Sequence, residues 1–185
     1  AQKRVEGRNF EMRKHLLEYD DVMNSQREFV YKERNEILEG EDISYKFDGY
    51  IEDAISERFE DFTFGAKHPE EWDLEGLQNY IAYKFLIELD YDTISPFEMS
   101  YEEFLSAIIE RVRTEYKTKE AEVGENNMRS LERMISLQII DNKWKDHLLA
   151  MDELRDGIWT VGIGEKNPLV EYKIEGFHLF KIMMK

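Results

Sequence analysis

Residues 4–39 read RVEGRNFEMRKHLLEYDDVMNSQREFVYKERNEILE, a stretch without proline in which apolar side chains recur every three or four residues. This spacing places one apolar stripe along one face of an α-helix. Gly40 follows, and glycine is common just beyond a helix end. We therefore predict one long helix, which needs a partner within the chain or outside it because a single stripe cannot bury itself. The stripe comprises Val5, Met12, Leu16, Tyr19, Met23, Val30 and Ile37, with Asn9 and Gln26 as polar interruptions.

Residues 40–120 contain three shorter helical patterns. The first covers about 44–63 and carries an apolar, aromatic-rich face. Asp73 is the predicted N-cap of a second helix that contains Leu74 and Phe85. Ser100 and Glu103 form the Ser-x-x-Glu pattern of a capping box at the start of a third. A strand would show sustained apolar–polar alternation, and the chain shows none.

Residues 121–185 predict an antiparallel helical hairpin. Asn167 is the predicted N-cap of its second arm, with Pro168 at the favoured first position. The connecting loop over 161–167 contains Gly162 and Gly164, which permit a reversal of the chain. The hairpin is predicted to pack against the long helix through Trp144, Leu148, Met151, Tyr172, Phe177 and Phe180.

The first arm of the hairpin carries two apolar stripes along the same turns. One runs from Met134 to Met151, and the other consists of Leu131, Ile135 and Ile139. Two stripes predict burial on two sides of this helix. The expected fold is all-α in three parts: a long helix over 1–39, a small helical lobe over 40–120, and a further helical segment with the hairpin over 121–185.

The charge is concentrated in the middle of the chain. The 185 residues include 25 Lys and Arg against 41 Asp and Glu, a net charge of −16, and residues 40–120 contribute −13 of it. Phosphate backbones are bound by basic surfaces, so we expect no nucleic-acid partner. The acidic segment fits an inserted subdomain that repels polyanions or an ordinary solvated helix surface, and its composition leaves both open.

The sequence shows no catalytic or metal-binding pattern. A Gly-x-x-x-x-Gly-Lys-Ser/Thr loop for phosphate is absent, and there is no Cys. None of the four histidines has a second histidine four residues further on, as helical zinc sites do. We therefore predict no catalytic, cofactor-binding or metal-binding residue. His15 and His147 lie beside apolar stripes, which favours packing or a hydrogen bond at the edge of the core.

The tip of the predicted hairpin is unusually apolar for a turn. It contains Trp159, Val161 and Ile163. Exposed apolar side chains at a tip are typical of insertion into a partner or a membrane interface. The same side chains could instead pack back between the two arms, and spacing alone does not separate these interpretations.

Five motifs along the chain resemble, in the same order, those of the SecA family of bacterial preprotein-translocation motor ATPases. They are VEGRNF at 5–10, LLEYDDV at 16–22, WDLEGL at 72–77, WKDHL at 144–148 and PLVEYK at 168–173. The resemblance covers nearly the whole chain and is most specific in its first and last thirds.

The resemblance implies a division of labour. Residues 1–39 would be the long helix of the helical scaffold, 40–120 the helical wing, and 121–185 the scaffold continuation and two-helix finger. The finger would enter the SecY channel and contact the translocating preprotein. Ile163 stands where many family members carry Tyr, so a role specific to Tyr does not transfer. The contact residues would be Trp159, Val161, Gly162, Ile163, Gly164, Glu165 and Lys166.

The resemblance also implies where the chemistry lies. ATP and magnesium would bind to upstream nucleotide-binding domains of the same parent chain, so this part alone is expected to have no activity. The first residues lack an initiator Met, which suggests a fragment. Expected partners are the SecY channel complex, unfolded preprotein, those upstream domains and, peripherally, an anionic membrane. The expected location is the cytoplasmic face of the bacterial inner membrane.

A second hypothesis from another functional class fits the same features. A free-standing all-helical adaptor could bind a protein partner through the apolar hairpin tip. The acidic lobe and the tip are compatible with either hypothesis.

Overall fold

The computed structural model describes the backbone of residues 2–40, 42–161 and 167–185, and side-chain surroundings for 14, 16–40, 42–158 and 167–185. These ranges form six α-helices and one 3-10 turn at Pro69–Glu71, without a strand, which confirms the predicted all-α class. The α-helices are α1 Gln2–Glu39, α2 Ser44–Thr63, α3 Leu74–Phe85, α4 Tyr101–Val123, α5 Glu125–Val161 and α6 Pro168–Met184.

The chain divides into two compact units. One comprises Ala1–Gly40 and Arg133–Lys185, and we call it the three-helix unit because α1, most of α5 and α6 build it. The other comprises Glu41–Glu132, and we call it the small lobe; it holds α2, α3, α4 and the first turns of α5. The predicted functional division into 1–39, 40–120 and 121–185 has different bounds from these two units, and it stays a prediction.

Three helix starts follow the predicted capping chemistry. The Asp73 side chain accepts a hydrogen bond from the backbone N–H of Gly76 at 2.8 Å. Ser100 and Glu103 form both bonds of the capping box. Asn167 accepts from the backbone N–H of Leu169 at 3.0 Å. Each side chain thus satisfies a backbone donor that has no partner within its own helix, which confirms the three predictions.

Two helices of the small lobe are followed by a residue in the left-handed backbone conformation, which residues other than glycine rarely adopt. Phe64 and Leu86 follow α2 and α3 with φ of 53° and 59°. This left-handed conformation costs a side-chain-bearing residue about 1–2 kcal/mol, and glycine normally occupies it. Their side chains are 72% and 79% exposed, so packing of these side chains does not offset the cost.

Aromatic side chains form the core of the small lobe. Phe59 and Phe104 have no exposed surface, and Trp72 stacks on Phe104 with 5.7 Å between the ring centres. The indole N–H of Trp72 donates to the carbonyl of Ala66 at 2.9 Å, so its one polar atom is satisfied. Aliphatic side chains fill the remaining space, among them Ile55, Leu77, Ile81 and Ile108.

The prediction that α5 is buried on two sides is wrong. Leu131, Met134, Ile135 and Ile139 are between 41% and 58% exposed. The buried apolar residues farther along α5 are Trp144, Met151 and Ile158, which belong to one side of the helix. Periodicity places residues on a common face, but it does not show whether a neighbour covers that face. Leu16 of the first stripe is likewise 57% exposed.

Replacing Phe59 by Ala should lower the free energy of unfolding of the small lobe by about 3–5 kcal/mol, because the lost ring leaves a cavity in a close-packed core. Urea unfolding followed by tryptophan fluorescence measures this change. As a control, Tyr83→Ala, which truncates a side chain that is 87% exposed, should change it by less than about 0.5 kcal/mol. Equal losses in both variants would contradict the assigned core.

Candidate functional site

The three helices of the three-helix unit meet at a buried hydrogen-bonded group formed by Gln26, His147 and Gly176, which we call the Gln26 node. Gln26 on α1 is 8% exposed. Its amide nitrogen donates to the carbonyl oxygen of Gly176 on α6 at 3.1 Å. Its amide oxygen lies 2.7 Å from Nε2 of His147 on α5. One side chain therefore joins three helices that are far apart in sequence.

The hydrogen bonds of the node determine the tautomer of His147. Because the nitrogen of Gln26 donates to Gly176, its oxygen faces His147 and must accept, so Nε2 of His147 carries the proton. The imidazole lies near two aromatic rings, 5.5 Å from Trp144 and 5.6 Å from Phe180 between ring centres. Burial lowers the pKa of His147 because the charged imidazolium is disfavoured away from water.

Gly176 allows the helices to approach closely. A Cβ atom at this position would lie 2.8 Å from Cε of Met151, well inside van der Waals contact. Met151 is 1% exposed, so its methyl group has little free space into which to move. Glycine in a helix interior costs about 1 kcal/mol relative to Ala, and here it makes room for the packing of α5 against α6.

An aromatic contact lies next to the node. The rings of Tyr19 on α1 and Tyr172 on α6 meet edge to face with centres 4.7 Å apart. Together with Met151 and Ile158 of α5 they form the buried cluster of this unit. Burial raises the pKa of both tyrosines, so the hydroxyls stay neutral at physiological pH.

The paired residues give the directions of the helices. Tyr19 pairs with Tyr172 and Phe29 with Phe180, so α1 and α6 run parallel. Met151 approaches Gly176, whereas His147 lies beside Phe180, so α5 and α6 run antiparallel as the hairpin prediction requires. The long helix thus has partners on both arms of the hairpin.

An ion pair joins α1 to α5 farther along. The Arg34 guanidinium donates to both carboxylate oxygens of Asp141, at 2.9 and 3.4 Å. Both side chains are partly exposed, and such a pair contributes about 1 kcal/mol or less. Its two-point geometry fixes the register of α1 on α5 more than it adds stability.

The residues predicted to pack the hairpin on the long helix divide into three groups. Trp144, Met151 and Tyr172 are buried, and Leu148 and Phe180 are partly buried. Phe177 is 58% exposed, so its predicted packing role is wrong within the described residues. The reason is angular: neighbouring residues on a helix point about 100° apart, and α6 buries its Tyr172 and Gly176 side. The Phe177 ring instead lies 5.7 Å from the ammonium of Lys181.

The predicted contact loop lies outside the described residues. This applies to Gly162, Ile163, Gly164, Glu165 and Lys166, and to the side chains of Trp159 and Val161. Its contact role stays a prediction.

Sequence patterns alone do not identify two residues of the node as functional. Gln26 is a polar interruption of an apolar stripe, and Gly176 is an inconspicuous residue within the second arm of the hairpin. A polar residue inside an apolar stripe is a usable signal, because a buried amide requires partners. The expectation that His147 packs or makes a hydrogen bond at the core is confirmed. The two hydrogen bonds of Gln26 attach α1 to α5 and to α6, so the arrangement is suited to a mechanical link between helices.

Gly176→Val should lower the free energy of unfolding of the three-helix unit by about 1–3 kcal/mol, because the added atoms meet Met151. Chemical denaturation monitored by circular dichroism measures the change. The matched control is Gly157→Val, since a Cβ at Gly157 on α5 meets nothing within 4 Å and should change the free energy by less than about 0.5 kcal/mol. Met151→Ala should recover part of the loss at Gly176, and full additivity of the two losses would argue against the contact.

The stability of the three-helix unit should fall as the pH drops below 6.5. The folded pKa of His147 lies below its unfolded value of 6.5, so the unfolded chain binds the proton more readily in that range. NMR titration of the His147 ring should give a midpoint below 6.5. His147→Gln should remove this part of the pH dependence, whereas His178→Gln, at an exposed position, should retain it. A midpoint above 6.5 would contradict the effect of burial.

Among the helices of the described ranges, none combines the length and the apolar composition needed to cross a lipid bilayer.

Comparison with known proteins places the chain in a family. The model of the SecA wing and scaffold domain matches residues 1–185. The chain is similar to the protein translocase subunit SecA of Pelotomaculum thermopropionicum, with 44% identity over 100% of this chain and 21% of the relative. It is also similar to the subunits of the same name from Leptospira interrogans, serogroup Icterohaemorrhagiae serovar Lai (47% identity, 97% of this chain and 20% of the relative), and Solibacter usitatus (46%, 100% and 19%).

The chain spans about a fifth of the length of these curated relatives. The match extends over both units of the fold and includes every residue of the Gln26 node. The chain therefore belongs to the SecA wing and scaffold domain family.

Proposed function

We propose that this chain is the non-catalytic wing and scaffold part of a motor that moves proteins across a membrane. The observation that carries the proposal is the match of all 185 residues to the family, together with relatives at 44–47% identity that are named protein translocase subunits. The all-helical fold supports it.

The Gln26 node supports a coupling role for the long helix. A displacement of α1 would move Gln26, and Gln26 is bonded to α5 and α6 at once. The close contact at Gly176 joins the two arms of the hairpin to each other. The Arg34–Asp141 pair attaches α1 to α5 at a second point. In the proposed motor, α1 would carry the nucleotide-dependent movement to both arms of the finger.

Hydrolysis of ATP is assigned to other parts of the parent protein. The Gly-x-x-x-x-Gly-Lys-Ser/Thr pattern of a phosphate-binding loop is absent from the sequence, which supports this assignment. ATP and magnesium would act in upstream nucleotide-binding domains, and this part would regulate them through the scaffold.

The proposed partners follow from the parts of the chain. The finger loop, which includes Ile163, would enter the SecY channel and touch the unfolded preprotein. Residues 40–120, with a net charge of −13, would be repelled by anionic lipid while the nearly neutral remainder approaches the cytoplasmic face of the inner membrane. No observation favours the free-standing adaptor over this assignment.

Cross-linking tests the proposed contact of the finger loop. The chain has no Cys, so Ile163→Cys introduces one defined position in an otherwise cysteine-free full-length translocase. We expect a cross-link to the channel or to a trapped preprotein during transport, detected by immunoblotting. The control is Tyr83→Cys, which lies in the small lobe and is 87% exposed. Cross-links from position 83 but not from 163 would refute the contact.

A further inference from the structure

Three carboxylates surround one buried guanidinium in the small lobe. Arg129, on α5, is 9% exposed. It donates to Asp42 at 3.0 Å, to Glu120 at the end of α4, and lies 3.1 Å from Glu132 one turn along α5. We call these four residues the Arg129 cluster. It joins the segment before α2, the C-terminal part of α4 and the first turns of α5.

Glu132 is the most buried acid of the cluster. Its side chain is 3% exposed, compared with 27% for Glu120 and 64% for Asp42. The Tyr116 hydroxyl on α4 donates to Oε1 of Glu132. Oε2 has no hydrogen-bond partner among the described residues, although it is shielded from water. A buried carboxylate with an unsatisfied oxygen is costly as a charged group.

The charges of the cluster do not balance. Three carboxylates face one guanidinium, and the hydroxyl of Tyr116 adds a donor but no positive charge. Asp42 accepts a hydrogen bond from the backbone N–H of Ser44 at 2.8 Å. This bond and Arg129 lower the pKa of Asp42 to about 2, so it remains charged. The excess negative charge is most readily removed at the least solvated site.

The least solvated carboxylate of the cluster is that of Glu132. Burial, with a smaller contribution from the charge of Asp42, raises the pKa of Glu132 to about 7. Arg129 opposes this shift, but its guanidinium is shared with two better solvated carboxylates. Proton uptake by Glu132 leaves two carboxylates for one guanidinium and removes the unsatisfied charge at Oε2.

We propose that the Arg129 cluster is a proton-responsive latch, in which protonation of Glu132 strengthens the attachment of the first turns of α5 to the end of α4. The latch goes beyond the proposed function and does not depend on it, since all its residues lie within the small lobe.

The direction of the response follows from linkage. The latched state binds the proton with a pKa of about 7, whereas an opened state exposes Glu132 to water with a pKa near 4.5. The latched state therefore holds more protons between these values, and its stability falls as the pH rises from 4.5 to 7 and levels off above. A difference of about 2.5 pH units corresponds to a change of roughly 300-fold in the opening equilibrium over the whole range.

Hydrogen exchange of the 185-residue chain tests the latch. Protection factors, corrected for the intrinsic pH dependence of exchange, are measured between pH 5 and 8 for residues 116–123 and 128–132. We expect protection to fall on the order of 100-fold over this range, mostly below pH 7. Amides of α1 around Val30, which is buried in the three-helix unit, provide an internal reference that should not show this fall.

A variant assigns the effect to one carboxyl group. Glu132→Gln mimics the protonated acid, so it should abolish the fall and give protection at pH 7.5 at least tenfold above wild type. The matched control Glu122→Gln removes an exposed charge near the end of α4 and should leave the curve unchanged.

Three results would overturn the proposal. They are flat protection in the wild type, an unaltered fall in Glu132→Gln, or lower protection in that variant at pH 7.5, which would show that the charge of Glu132 holds the cluster together. If Glu132→Gln does not fold, carboxyl-carbon NMR of the wild type still decides. A midpoint for Glu132 near 7 supports the latch, and one at or below 4.5 overturns it.

Discussion

A buried glutamine amide can satisfy its donor and its acceptor at once, and the arrangement of the three-helix unit depends on this property. The amide of Gln26 donates to Gly176 and accepts from His147, so a shift of any one helix leaves at least one buried polar group without a partner. Such a loss costs about 1–3 kcal/mol, which is large beside the total stability of a domain. Apolar contacts around Tyr172 are not directional, whereas the two hydrogen bonds of the amide form in one register of the helices.

Among the described residues, His147 and Glu132 are buried ionisable side chains that are poorly suited to carrying a charge, one in each unit, and they respond to pH in opposite directions. His147 is a base in an apolar environment, so acid weakens the three-helix unit. Glu132 is an acid in a crowded anionic cluster, so a rise in pH from about 4.5 to 7 weakens the small lobe. The physical cause is the same in both units, since burial favours the neutral form. Between about pH 4.5 and 6.5 the two changes therefore oppose each other.

Local chemistry explains which features could be predicted from sequence. Asp73, Ser100 and Asn167 act on backbone groups within three residues, so their helix starts could be read from the sequence. The all-α class and the hairpin direction also follow from periodicity and loop length. The Gln26 node could not be found in this way, because its partners lie 121 and 150 residues away. The exposure of Phe177 and Ile135 could not be predicted either, because periodicity does not show which faces of a helix other helices will cover.

Phe64 and Leu86 leave backbone strain at the ends of α2 and α3. Both hold a left-handed backbone that glycine would adopt without strain, and both present large apolar side chains to solvent. Glycine at both positions would relieve this strain and raise the free energy of unfolding of the lobe by about 1 kcal/mol at each. Substitutions at these two helix ends would therefore make the lobe more resistant to heat without altering its core.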